Sequence, residues 1–284
     1  MNMRKLSAGP VSEVGAGRAD AWRQVAVAVS AVVGVVVAVL GSGAVVGTPI
    51  AEVADGALAT DSTLVAPAGA AFVIWSVIYV GLLALAVFQL APSRRDDPRQ
   101  RAVGWWVAAS LLLNAAWVLV IQAELIALSI LVIVGLLVVL GVVLVRLTLS
   151  RPSSTLEAVL LDGTTGLYLG WVCIATVANT ASALVRGGVD AMGDTAIVMA
   201  VVVLIVAAIV GLALALATDG RLAPAIGLGW GLAWVAVERI AGEPESMTVA
   251  VAAALAAVVT IGSAVVLRVE RARRDKEAGR SVAA

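Results

Sequence analysis

Long apolar runs separated by short polar breaks dominate this chain. From residue 24 onward, stretches of Ala, Val, Leu, Ile and Gly recur. Several reach the roughly 20 residues that a helix needs to cross a bilayer core. The first run covers 24–46, and others follow near 67–91, 102–122, 125–147, 158–185, 195–217, 222–238 and 247–267. The pattern predicts an all-α, polytopic transmembrane helical bundle of about eight spanning helices. The run at 222–238 is the shortest and carries Gly227, Gly229 and Gly231. Gln122 and Glu124 leave room for only a tight hairpin between the third and fourth helices. A cleaved signal peptide fits the first run poorly, because its apolar region would usually span only about 7–15 residues.

Polar segments frame these runs. Residues 1–23, with Arg4, Lys5, Arg18 and Arg23, read as a polar tail, and 268–284 as a basic one. The longest connection, 47–66, carries Glu52, Asp55 and Asp61 and no Lys or Arg. Pro49 and Gly56 argue against a continuous helix there. A connection of this length in a compact protein is often a lid or a binding loop.

Charge sidedness tests the helix count. Arg94, Arg95, Arg99 and Arg101 fall in the second connection, Arg146 and Arg151 in the fourth, and Arg221 in the sixth. With the two tails, seventeen of the nineteen basic residues lie on one side; only Arg186 and Arg239 lie on the other. A missed or extra helix in the middle would scramble this alternation. The positive-inside rule makes the basic side, with both termini, cytoplasmic, so the chain is expected in the cell membrane.

Composition narrows the chemistry. The 284 residues are 62% hydrophobic, with mean hydropathy +1.06 and 13% charged residues. The charged share is about half that of a typical soluble protein. There is no His, which removes the commonest general base and metal or haem ligand. A single Cys, Cys173, rules out an internal disulfide and a Cys-based zinc site. No metal site, nucleotide-binding motif or nucleic-acid-binding stripe is visible.

Seven residues break the aliphatic background inside the spans: Trp75, Tyr79, Asn114, Trp117, Tyr168, Trp171 and Asn179. Polar groups at such depth are costly unless satisfied or used. At about 1.5 Å rise per residue, all seven fall in the central and outer layers, on the side of the 47–66 connection. Trp75 and Tyr79 are four apart and share a face, as do Asn114 and Trp117, three apart. Tyr168, Trp171, Ala175 and Asn179 form one stripe. The set suggests a polar-aromatic cavity under a lid, suited to a flat, mostly apolar ligand.

Blander readings stand beside this one. Trp in membrane proteins usually marks the interfaces, which accounts for Trp22, Trp105, Trp106 and Trp234. Buried Asn often bonds across helices as packing glue, and Asn114 and Asn179 are open to that reading. Asp162, a carboxylate inside a span, either faces water near the cytoplasmic end or takes part in ion or proton coupling. Gly166-x-x-x-Gly170 and Gly227-x-x-x-Gly231 permit close helix packing.

At the seven residues the sequence resembles the TspO/MBR family, the tryptophan-rich sensory proteins related to the mitochondrial translocator protein. Pro67 through Phe72, Trp75, Ile78 and Tyr79 is similar to that family's proline pair, Phe and Trp-x-x-Leu-Tyr. Asn114-Ala-Ala-Trp117 resembles its Asn-x-x-Trp. Tyr168-Leu-Gly-Trp171 through Ala175 and Asn179 resembles its Pro-Tyr-x-x-Trp-x-x-Phe-Ala-x-x-Leu-Asn. Ala66 and Leu167 replace two of the family's prolines, and Leu119 and Val120 replace its aromatic run.

The resemblance covers 24–185. It implies a five-helix core with a ligand pocket under the loop after the first helix, and leaves 186–267 as three additional helices. It also implies ligands such as porphyrins, haem or sterol-like lipids, and roles in sensing, transport or turnover of them. Without His, a haem held by axial His is excluded, and a porphyrin would stack on indole faces.

The expected function is therefore binding of a flat hydrophobic molecule, with a bound porphyrin or lipid as the candidate cofactor. A small-molecule transporter of another class, using Asp162, is the main alternative. Light- or oxygen-dependent porphyrin breakdown is the enzymatic version that needs only Trp and Tyr. The expected partners are the bilayer and the ligand, with the last three helices free to form a homodimer face.

Overall fold

In the computed structural model, residues 17–43 and 48–283 are described, and their regular structure is helical throughout. The predicted tail up to residue 16, with Arg4 and Lys5, lies outside the described residues. So do residues 44–47, where the first run was expected to end and the lid to begin.

Eight long helices appear among the described residues: α1 (Arg18–Gly41), α2 (Gly69–Gln89), α3 (Pro98–Gln122), α4 (Ile126–Thr148), α5 (Thr155–Arg186), α6 (Asp194–Ala217), α7 (Leu222–Ala241) and α8 (Met247–Ala283). Seven are long and apolar enough to cross a membrane. The exception is α7, which has 20 residues but carries Glu238 and Arg239 near its end.

Boundaries shift where polar side chains hold extra turns. The first helix starts at Arg18, not 24, because Asp20 accepts from the Gly17 amide (3.0 Å) and pairs with Arg101 (2.7 Å). It stops at Gly41, just before Gly43 at φ +75°. The third helix starts at Pro98, not 102. The Asp97 carboxylate caps it by accepting from the amides of Arg99 (2.8 Å) and Gln100 (3.2 Å), and proline suits the first helical position. The last helix runs on past 267, so the basic segment expected as a tail continues as helix to Ala283. Arg271 pairs there with Asp219 (3.6 Å).

Helix α1 packs on α3 and α2, α3 on α4, and α4 on α5. Helix α7 then packs on α5, α8 on α7, and α6 on α8. The hinge between the first five helices and the last three is the α5–α7 crossing. Its glycines are the two spaced pairs seen in the sequence. A Cβ on Gly170 would strike the Pro224 carbonyl and the Leu228 amide nitrogen; one on Gly227 would strike the Leu167 carbonyl and the Trp171 amide nitrogen. The backbones themselves touch, as small residues allow in membrane bundles.

The basic ends of the helices meet in one buried ion network. Arg99 donates to Glu157 (2.9 Å) and to Asp162 (2.8 Å), and Arg221 also donates to Asp162. Arg23 reaches the Arg95 carbonyl (2.9 Å). Glu157, just outside the predicted span, is buried, and a π-helical turn at Ala158–Gly163 follows it and carries Asp162. Paired in this way, the charges avoid most of the cost of leaving water.

Gly170→Leu or Gly227→Leu should lower the thermal unfolding midpoint in detergent well beyond Gly135→Leu. Overpacking costs about 1–3 kcal/mol, and here the obstructing atoms are backbone that cannot move aside. At Gly135 a Cβ meets nothing within 4 Å.

Candidate functional site: a chamber beneath the lid

The segment after α1 folds over the bundle end opposite the ion network. Ala54 and Asp55 take left-handed backbone angles, so the chain turns back on itself instead of continuing as helix. Its acidic side chains Glu52, Asp55 and Asp61 point outward, whereas Thr63 through Ala68 are buried.

The lid is tied down through its carbonyls. Arg239, whose side chain is fully buried, donates to Thr60 (2.9 Å), Thr63 (3.2 Å) and Glu243 (3.1 Å). Arg186 donates to Ala54, and Ser182 to Ala57. Trp230 donates to the Ala71 carbonyl (2.9 Å), and the Ala68 amide to Trp234 (3.3 Å). Arg186 and Arg239, the two basic residues expected on the acidic side, are thus both lid fasteners.

Beneath the lid lies a chamber of about 450 Å³. Ile50 and Leu58 of the lid, Trp75 and Tyr79 of α2, and Asn114 and Trp117 of α3 are among its walls, and among the described residues none that lines it is charged. Two smaller voids of about 40 and 30 Å³ continue toward α5. Phe72 and Trp117 border all three spaces and partition them.

Six of the seven residues singled out in the sequence line these spaces. Trp75, Tyr79, Asn114 and Trp117 face the chamber, while Trp171 and Asn179 line the smaller voids. Tyr168 lines none of the three. It is fully buried, donates to the Ser110 carbonyl (3.3 Å) and sets its ring edge against Trp75 (5.7 Å). Asp162 sits apart, between Arg99 and Arg221 at the basic end, where its Oδ2 has no partner among the described residues.

The two amides differ in use. The Asn179 Oδ1 accepts from the Trp117 indole (2.9 Å), and its Nδ2 donates to the Ser129 hydroxyl (2.8 Å), which donates to Ile126 (2.6 Å). Asn179 therefore bolts α3, α4 and α5 together. Asn114 donates to the Tyr79 hydroxyl (2.9 Å) at the chamber wall, and no acceptor for the Tyr79 proton lies among the described residues. The Trp171 indole N–H is buried without a partner among the described residues.

Aromatic geometry completes the wall. Trp75 stacks on Tyr79 at 5.2 Å and 15°, and Trp171 meets Phe72 edge-on at 5.5 Å. Such a wall offers ring faces to a flat apolar body and one hydroxyl donor to a polar tip. Among the described residues, no cluster of three or more Cys, Asp or Glu suits a metal ion.

Sequence reasoning missed Ser129, Phe72, Trp230 and Arg239 as parts of this site. Ser129 had a signal: it is the one polar side chain between Ile126 and Val145. Trp230 had none, because its partner is a carbonyl 159 positions away in the chain.

Comparison with protein families finds a match to the family described as TSPO-like protein, over residues 24–266. The match extends past 185 and takes in α6, α7 and most of α8, which the sequence motifs alone had placed outside the resemblance. No curated protein and no solved structure matches the chain.

Asn179→Leu should destabilise the protein more than Asn114→Leu, by about 1–3 kcal/mol, because it strands the buried Trp117 and Ser129 groups. Thermal unfolding of both variants in detergent measures the difference. Arg239→Leu frees the two lid carbonyls of Thr60 and Thr63, and limited proteolysis should then cut within 48–63 several times faster than in the parent protein.

Proposed function

The chain belongs to the TSPO-like protein family, and on that premise we propose that this multi-pass membrane protein binds a flat, hydrophobic small molecule beneath its lid. The ligand is of the tetrapyrrole or sterol-like class, and the protein serves in its sensing, transport or turnover. The observation that carries this reading is the chamber wall. Trp75 and Tyr79 present stacked rings, and among the described residues Tyr79 has no acceptor for its proton and no charged residue intrudes.

Each part of the wall has a task in this reading. The stacked pair supports the ligand's plane. The Tyr79 hydroxyl, oriented by Asn114, donates to an oxygen or nitrogen at the ligand's rim. A carboxylate on the ligand would find no cation in the chamber, and burying it unpaired is costly. Any acidic group therefore stays at the mouth, outside the chamber. The Trp171 N–H, unpartnered beside the smaller voids, is a second donor for a ligand that reaches past Phe72 and Trp117.

The same geometry argues against Asp162 as a coupling residue, because Arg99 and Arg221 both hold its Oδ1. We place the basic end in the cytoplasm by the positive-inside rule, which puts the lid and the chamber on the far side of the membrane.

Titration of the purified protein with protoporphyrin, followed by tryptophan fluorescence, tests the reading. Saturable quenching is expected, with affinity falling roughly tenfold in Trp75→Ala. A hydroxyl removed from a polar contact costs on the order of 1 kcal/mol, so Tyr79→Phe should weaken binding about fivefold. Absence of saturable quenching with both a porphyrin and a fluorescent sterol, or binding indifferent to both variants, would overturn it.

A further inference from the structure

A second cavity lies on the other face of the strap that closes the chamber. It has a volume of about 240 Å³ and is bounded by residues 63–65, by α5 and by α6. Helices α5 and α6 pack together only sparsely, since α6 leans mainly on α8. Their separation leaves a crevice whose rim residues Leu184, Val189 and Met199 are exposed on the bundle's outer surface.

We infer that this crevice is a second binding site, which takes one ester-linked acyl chain of a membrane phospholipid. The walls are almost entirely aliphatic, with Ala181 and Leu184 on α5 and Ala200 and Val203 on α6. Water does not fill apolar cavities of this kind; even one of about 150 Å³ stays dry. Left empty, the walls would forfeit their dispersion contacts. The fluid that surrounds two spanning helices is lipid tail, and a tail fits the opening between them.

Polar atoms locate the ester. Thr180 lies six residues before the α5 terminus at Arg186, about 9 Å along the helix and close to the expected interface. Its hydroxyl has no partner among the described residues, whereas Thr176, one turn earlier, donates back to Val172 (2.7 Å). The Thr63 hydroxyl on the opposite wall is also unpartnered. An ester carbonyl accepts from such donors. The tail then runs inward past Met199 and Ala200 to Val203.

Charge excludes a free fatty acid. Among the described residues, the one charged side chain lining the crevice is Asp190, whose carboxylate accepts from the Met192 (3.0 Å) and Gly193 (3.1 Å) amides ahead of α6. A second carboxylate beside it would be repelled; a neutral ester would not.

Photolabelling of the full-length protein in detergent with a phosphatidylcholine carrying a diazirine in its acyl chain tests the site. Saturable adducts are expected within 176–203, displaced by unlabelled phosphatidylcholine and not by oleate. Ala181→Leu and Ala200→Leu fill the cavity and should each cut the adduct at least tenfold. Thr180→Val, which keeps the shape, should weaken displacement severalfold. Protoporphyrin titration of the same variants should match the parent, which separates this site from the chamber. Unsaturable labelling spread over α6, labelling unchanged in the filled variants, or oleate competing as well as phosphatidylcholine would overturn the inference. The wild-type competition decides this even where a filled variant fails to fold.

Discussion

The contact between the backbones of α5 and α7 at Gly170 and Gly227 sets the rest of the structure. No side chain separates the two helices there, and a methyl group on either glycine would meet main-chain atoms. In a bilayer, helices gain little from burying apolar surface against one another, so close packing and hydrogen bonds must hold the bundle. This crossing joins the helix that carries Tyr168, Trp171 and Asn179 to the helix that carries Trp230 and Arg239. The residues of the smaller voids and the lid fasteners are thereby held in fixed relation.

The last three helices gain a structural role from that relation. Trp230, Trp234 and Arg239 of α7 each bond to the backbone of the lid or of the first turn of α2. A buried arginine is expensive unless its donors are met, and both terminal nitrogens of Arg239 find carbonyls, two of them in the lid. The same guanidinium that lid formation satisfies also keeps the lid closed. At the other end, Arg99 with Glu157 and Asp162 with Arg221 lock α3, α5 and α7. The bundle is fastened by charge at both ends and by glycine contact between them.

Between these fastenings the polar groups separate into two kinds. Asn179, Ser129 and the Trp117 indole satisfy one another and act as a bolt. The Tyr79 proton and the Trp171 N–H remain unspent beside cavities. A cavity bordered by unspent donors is where a bilayer protein has room for a ligand; one bordered by satisfied groups is packing.

Much was legible in the amino-acid order. Helix number, the sidedness of the basic residues and the lid segment follow from rules that act locally: a chain in hydrocarbon must satisfy its backbone within helices, and its charges must gather at the ends. Spacing alone puts Trp75 with Tyr79 and Asn114 with Trp117 on shared helix faces, and all four line the chamber. The exact uses were not legible. Asn114 and Asn179 look alike in sequence, yet one meets a tyrosine at an open wall and the other closes a network with Ser129. Arg239 reads only as one of two basic residues on the acidic side, and Trp230 carries no signal in the sequence. Which partner each one meets depends on how the helices rotate and cross: α2 against α3 for Asn114, α3 and α4 against α5 for Asn179, and α7 against the lid and the first turn of α2 for Arg239 and Trp230; only the packed bundle decides that.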